Sequence, residues 1–216
     1  MGVGTKRRSP ADGQHGTLAA LRDLVPRRPL RYAEALRIAE QQAELLLRLA
    51  GLKEPPVPIE LITSLPRLQV VAEDVPVSGS AHWDGKNWLI VLNMREHQPR
   101  RRFALAHEFK HIIDHTTRSF LYDAMPSMNP VEQAERAADY FAGCLLMPRR
   151  WLKKACATGE KTPQEVARLF GVPVPIAEAR LTQCGLAPSK PGYRGLRMSL
   201  RMLLGGISRS RTRRTR

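Results

Sequence analysis

Residues 102–115 read RFALAHEFKHIIDH, and these fourteen positions decide how the rest of the chain is read. Phe103, Ala104, Leu105, Ala106, Phe109, Ile112 and Ile113 cover most of a helical circumference, so the pattern predicts a buried helix over about residues 99–115. Within it His107 and His111 stand one turn apart, where both imidazoles reach a single Zn²⁺ at about 2.0–2.1 Å. Glu108, beside the first imidazole, is placed to take a proton from water rather than to ligate. A metal at this point can bring the pKa of water from about 15.7 to about 7. With six His and thirteen Glu in 216 residues, chance produces such an HExxH pattern in about one chain in a hundred. Two His on a polar helix face is the alternative, but the apolar flanks bury these groups, and buried imidazoles beside a carboxylate need a partner.

A catalytic zinc takes three protein ligands and leaves one position open. His115 continues the same helix face, but eight residues at about 1.5 Å rise place it about 12 Å from His107, too far to share an ion. It reads instead as a capping or surface residue near the helix C-terminus. The third ligand is therefore sought on the next helical stretch, residues 130–147. There Asn129, Pro130, Val131 and Glu132 read as a capping box, which gives Glu132 a structural role. Glu135, one turn on, has no such duty, and Asp139 follows on the same face, where it can orient a ligating His. Ala134, Ala137, Ala138, Ala142 and Gly143 keep this helix slim enough for close approach. A solvated Glu and Asp pair on an exposed face is the other reading of the same spacing.

Outward from this centre, residues 32–49 carry apolar groups at intervals of three and four and form an amphipathic helix closed by Gly51. Pro55, Pro56 and Pro58 follow, and residues 59–65 read as a short helix. The period then changes: residues 68–71, 77–83 and 87–92 read as three short strands. The last two are joined through Asp84, Gly85 and Lys86, with Trp83 and Trp88 as a cross-strand pair. A Lys- and Gly-containing link leads to a last helical pair, about 163–170 and 175–183. The expectation is α+β: a mixed or antiparallel sheet of about three strands on the HExxH helix and a second ligand-bearing helix, then a small C-terminal helical pair. The expected division is a basic flexible arm over 1–29, a domain over 30–187 that includes the pair at 162–186, and a basic low-complexity tail over 188–216.

The formal charge of +15 first invites a nucleic-acid or anionic-membrane partner. Residues 1–30 contribute +4 and residues 181–216 contribute +9, so the intervening 150 residues carry only +2. Nucleic-acid or anionic-surface contact is thus expected of the tails, where Arg197 and Arg201 sit among Leu and Met in residues 196–207. Three cysteines with no CxxC pair argue against a disulfide framework or a Cys-rich zinc site and fit a reducing cytoplasm. No secretory signal and no apolar run of about 18 residues is present, so no transmembrane segment is expected.

The stretch at 102–115, followed by ERAADYFAGCLLMP at 135–148, resembles the ImmA/IrrE metallopeptidases. That family has a similar RFxLAHExxH helix and a second helix whose Glu, four residues before an Asn or Asp, is the third ligand. The resemblance implies a gluzincin-like His2Glu zinc site of His107, His111 and Glu135, with Glu108 as general base and acid. It implies a site-specific endopeptidase that cleaves a helix-turn-helix repressor encoded nearby and so relieves repression of phage, mobile-element or stress-response genes. The strand near Trp88 or its hairpin partner would hold the substrate extended. Lys110 and Ala137 depart from the residues common in relatives, which bears on substrate preference.

A second reading comes from residues 164–181, where Ala167 and Gly171 have helix-turn-helix spacing: a DNA-binding regulator with structural zinc, using residues 162–186. Its weakness is a recognition face with Glu178, Thr182 and Gln183 and only Arg180 basic. Arg100, Arg101 and Arg102 read as a solvated face or a contact for an acidic partner, and Tyr122 and Tyr140 as candidate oxyanion stabilisers.

Overall fold

A computed structural model describes residues 10–122, 128–159 and 162–186. Among them, in chain order, are α1 (Pro10–Arg22), α2 (Tyr32–Leu49), α3 (Glu60–Thr63), β1 (Leu68–Glu73), β2 (Gly79–Trp83), β3 (Trp88–Asn93), α4 (Gln98–Asp114), α5 (Arg118–Leu121), α6 (Pro130–Leu146), α7 (Arg149–Thr158), α8 (Pro163–Phe170) and α9 (Val174–Gln183). The α+β expectation holds, with a three-stranded mixed sheet.

The sheet order is β1-β3-β2. β3 pairs parallel with β1 and antiparallel with β2 across the expected hairpin. Asp84 closes the turn by accepting from the backbone N–H of Lys86 and Asn87, and Gly85 takes φ +99°, where a Cβ is disfavoured. Trp83 and Trp88 stand opposite in register with ring centroids 5.1 Å apart. Ile90 and Leu92 of β3 enter the main core with Phe103, Phe109 and Ile113 of α4 and Phe141 of α6.

α2 buries Ala35, Ala39, Ala43, Leu46 and Leu47 of the stripe expected from its periodicity, together with the polar Gln42, while Leu36 and Ile38 are half-buried and Ala50 is exposed. α6 buries Ala134, Ala137, Ala138, Ala142 and Gly143, and this run of small side chains lets it lie against both α2 and α4. α8 opens with the Thr162/Glu165 capping box and ends on Gly171 in the left-handed conformation at φ +64°.

Three expectations are corrected. The arm expected over residues 1–29 is helical from Pro10 to Arg22, and Leu21 is fully buried. Gln42 Nε2 donates to the Leu21 carbonyl at 3.0 Å, and Arg22 donates to the carbonyls of Ile112 and Ile113 at the end of α4. Beyond α1, Val25 and Leu30 join Leu121, Tyr122, Ala134 and Ala137 in a second, smaller core. Few apolar side chains bury much here, so periodicity is weak while packing is decisive. The link after Met147 is likewise helical, α7, with Trp151, Leu152 and Ala155 inward between exposed Arg149, Arg150, Lys153 and Lys154. The residues before Pro10 and the basic tail from 187 lie outside the described residues.

The third correction concerns Arg100 to Arg102, which are not a solvated face. Arg100 is buried and donates to Ser78 Oγ at 2.9 Å, while Ser78 donates to Glu96 at 2.6 Å. Arg102 donates to the carbonyls of Gly171 and Val57. The arginines fasten three loops to the first turn of α4, which outweighs their unfavourable position in the helix dipole.

Replacing Leu21 by Ala is expected to destabilise the fold by about 2–5 kcal/mol in urea unfolding, as for a core leucine. An unchanged midpoint would restore the flexible-arm reading.

Candidate metal centre

His107 and His111 project from α4 one turn apart, with Nε2 atoms 3.1 Å from each other. Glu135 of α6 faces them: Oε2 lies 3.6 Å from His107 Nε2 and Oε1 3.5 Å from His111 Nε2. One donor atom from each of the three residues falls within 4.8 Å of the others. Donors about 2.0–2.1 Å from a tetrahedral ion stand about 3.3 Å from one another, so the arrangement fits a metal of that size and geometry. His107 Nδ1 hydrogen-bonds Asp139 Oδ1 at 2.9 Å, which turns Nε2 toward the centre. His107, Glu108, Glu135 and Asp139 are all buried, and His111 is slightly open.

The electrostatics carry the same message. Burial would lower the His107 pKa, but the carboxylates of Asp139 and Glu135 outweigh it and raise it to about 10. Burial and the neighbouring His107 drive His111 well below its ordinary value. Three carboxylates, those of Glu108, Glu135 and Asp139, thus crowd two imidazoles of which one holds a proton, a donor set that favours a cation. Burial raises Glu108 to about 7, assisted by Glu135 and opposed by His107 and by the backbone N–H of Ala81. Its Oε1 is buried without a hydrogen-bond partner among the described residues.

The family described as the IrrE N-terminal-like domain, a peptidase family, matches residues 67–182. The chain belongs to that family. The match runs from the start of β1 almost to the end of α9 and takes in both helices of the centre. A Mycobacterium tuberculosis transcriptional regulator of known structure is similar in fold, with a TM-score of 0.57 and 21% identity over 82% of this chain and 54% of that one. The chain therefore spans about half the length of that regulator. No curated protein sequence matches it.

Within this peptidase fold the other sequence candidates separate. Glu132 does not complete a capping box; Asn129 caps α6 by accepting from the Glu132 N–H, while the Glu132 carboxylate turns to Arg136. His115 caps α4 and lies edge-on to Trp88 at 4.9 Å. Neither tyrosine candidate faces the centre: Tyr122 is buried and donates to Asp114 Oδ2 at 2.5 Å, and Tyr140 donates to Glu40 at 3.1 Å. Lys110 and Ala137 are both fully buried, so neither contacts a substrate directly. The Lys110 ammonium is paired with Asp114, which explains how a lysine is tolerated there.

Gly79 belongs to the site although strand periodicity does not single it out. A Cβ on it would stand 3.0 Å from Glu108 Cγ and 3.4 Å from Glu108 Oε1, so β2 lies directly against the catalytic candidate. The signal was the pair of small residues, Gly79 and Ala81, on one face of a strand.

Replacing Asp139 by Asn is expected to weaken metal binding about 10–100-fold in competition with a chromophoric chelator, with the fold unchanged. Because His107 holds its proton up to about pH 10 and must lose it to ligate, apparent metal affinity should rise with pH through neutrality. Calorimetry in buffers of different ionisation enthalpy at pH 7 should then show about one proton released per ion.

Proposed function

We propose that this peptidase is a zinc-dependent, site-specific endopeptidase that cleaves a helix-turn-helix repressor and thereby relieves repression. His107, His111 and Glu135 hold the metal, Asp139 orients His107, and Glu108 is the general base and acid. The observation that carries the reading is the convergence of three donors with the unpartnered Glu108 Oε1 beside them. A His2Glu donor set favours zinc over manganese. When bound, the ion supplies Lewis acidity, lowering the pKa of a water and polarising the scissile carbonyl.

Glu108 Oε1 accepts the proton of the attacking water and later delivers it to the leaving amine. A carboxyl held near 7 exchanges protons readily in both directions at neutral pH. The substrate lies extended along β2, the edge strand beside Glu108, and takes backbone hydrogen bonds there. β3 is central in the sheet and cannot serve that role. Gly79 leaves room for Glu108 under the strand, and a side chain there would displace the carboxylate.

The catalytic unit runs from α1 to about residue 187, and the basic segments outside it make the nucleic-acid or anionic-surface contacts. A cytoplasmic setting is supported by three cysteines that form no disulfide with one another. No helix among the described residues is long and apolar enough to cross a membrane. A repressor substrate encoded nearby agrees with the name of the similar regulator. That name also favours the second reading, direct DNA binding through residues 162–186 with a structural zinc. Against it, Arg180, the basic group of the would-be recognition helix, is buried under Tyr140 and donates to the Met147 carbonyl.

Co-expression with the neighbouring repressor-like protein should yield a metal-dependent fragment. Glu108→Gln is expected to lower cleavage about 10²–10⁴-fold with zinc content retained; undiminished cleavage would remove Glu108 from the mechanism. Deleting residues 190–216 should leave cleavage intact and reduce only salt-sensitive association, measured as the salt slope of DNA binding.

A further inference from the structure

A cavity of about 210 Å³ opens between α1, the turn before β1, the β2–β3 hairpin and α4. Phe109 and Ile112 form its α4 wall. At about 100° per residue they lie on the side of the helix opposite His107 and His111, so the cavity is separate from the metal centre. Arg22, Arg67, Trp83 and Trp88 complete the functional part of its lining, which holds two cations and no acid.

Each of these groups is unusual. Arg67 adopts φ +60°, the left-handed region, and is the one non-glycine residue to do so among the described residues. An L side chain there is strained where glycine is not. The backbone contact at this position, from the Trp88 N–H to the Arg67 carbonyl at 2.8 Å, is available to any residue. Nothing in the fold therefore requires arginine, and Arg67 is exposed, with no side-chain ion pair or hydrogen bond among the described residues. Arg22 lines the cavity and holds the Ile113 and Ile112 carbonyls through Nε and Nη2, which uses two of the five N–H donors of its fork, while Asp114 outside the lining acts on its charge. Trp83 is 44% exposed at the rim, against Trp88.

We propose that this cavity binds a compact planar anion, of the class of single-ring aromatic carboxylates. Its carboxylate lies between the guanidinium groups of Arg67 and Arg22, and its ring lies against Trp83 and Trp88 with the apolar wall of Phe109 and Ile112 beneath. The volume falls below the roughly 300 Å³ at which drug-sized sites begin, which sets the ligand at one ring. Paired guanidinium groups recognise a carboxylate, and indole faces recognise the ring. The occupied site would press on the outer face of α4 and on the arginine that caps it. The proposal does not depend on the metal or on the peptidase reading.

The three tryptophans provide the test, because Trp83 and Trp88 line the cavity while Trp151 is buried in α7. Sodium benzoate is titrated into the ¹⁵N-labelled full chain, with benzamide as the uncharged isostere. The indole N–H signals of Trp83 and Trp88 should shift saturably while that of Trp151 stays, and benzamide should bind at least about tenfold more weakly. Arg67→Gly should weaken benzoate binding about tenfold and raise Tm by about 2–4 °C, since strain is released as the ligand contact is lost. Trp83→Ala, at the rim of the cavity, should also weaken benzoate binding. Absent or non-saturating shifts at about 10 mM benzoate, equal binding of benzamide, or Arg67→Gly that binds benzoate normally would each overturn the proposal.

Discussion

The close packing of α6 on α4 is the constraint on which the rest of the structure depends. A carboxylate on one helix must come within 3.6 Å of imidazoles on the other, and a second carboxylate must hydrogen-bond one of those imidazoles from behind. Helices come that near only where side chains are small, and α6 presents alanine and glycine along its buried faces. The groups brought together are then largely withdrawn from water, with His111 slightly open. Each needs a partner: Asp139 serves His107, Asp114 serves Lys110 and Tyr122, and a cation suits what remains between His107, His111 and Glu135.

Much of the surrounding fold holds α4 in place. Its first turn is tied through Arg100 to Ser78 and Glu96, and through Arg102 to the Val57 and Gly171 carbonyls. Its last carbonyls are capped by Arg22 from α1. A helix with polar groups along one buried face gains less from hydrophobic burial than an apolar one, and charge-assisted hydrogen bonds at both ends offset that loss. The same logic gives α1, which precedes the matched segment, a packed place in the fold, since Arg22 supplies donors to the Ile112 and Ile113 carbonyls at the end of α4.

Charge also looks different in three dimensions. A central region near neutrality by count hides a strong sorting of sign. The carboxylates of the metal centre are buried between α4 and α6, while the cations of α7 stand on an exposed face, and two arginines share a cavity that has no acid. Net charge along the chain describes what the surface as a whole attracts and is silent on where single charges are used.

Several features follow from local sequence alone. The HExxH spacing, the slim second helix, the Thr162/Glu165 cap, the Asp84–Gly85 turn and the tryptophan pair across it each depend on neighbours a few residues away, within the reach of helical and strand periodicity. The same range covers the choice of Glu135 over Glu132, although what occupies Glu132 is Arg136 one turn on and not the expected capping box. Other features rest on contacts between residues far apart in the chain, which no periodicity encodes. The order β1-β3-β2 leaves β2 rather than β3 at the edge, Gly79 meets Glu108 across the sheet-to-helix gap, and Arg180 turns inward under Tyr140. Tyr122 is drawn to Asp114 instead of the metal centre, and Arg22 reaches the far end of α4. Short-range spacing determined which residues are chemically capable; only the packing of distant elements decided which of them meet, because burial and hydrogen-bond satisfaction are settled between elements and not within them.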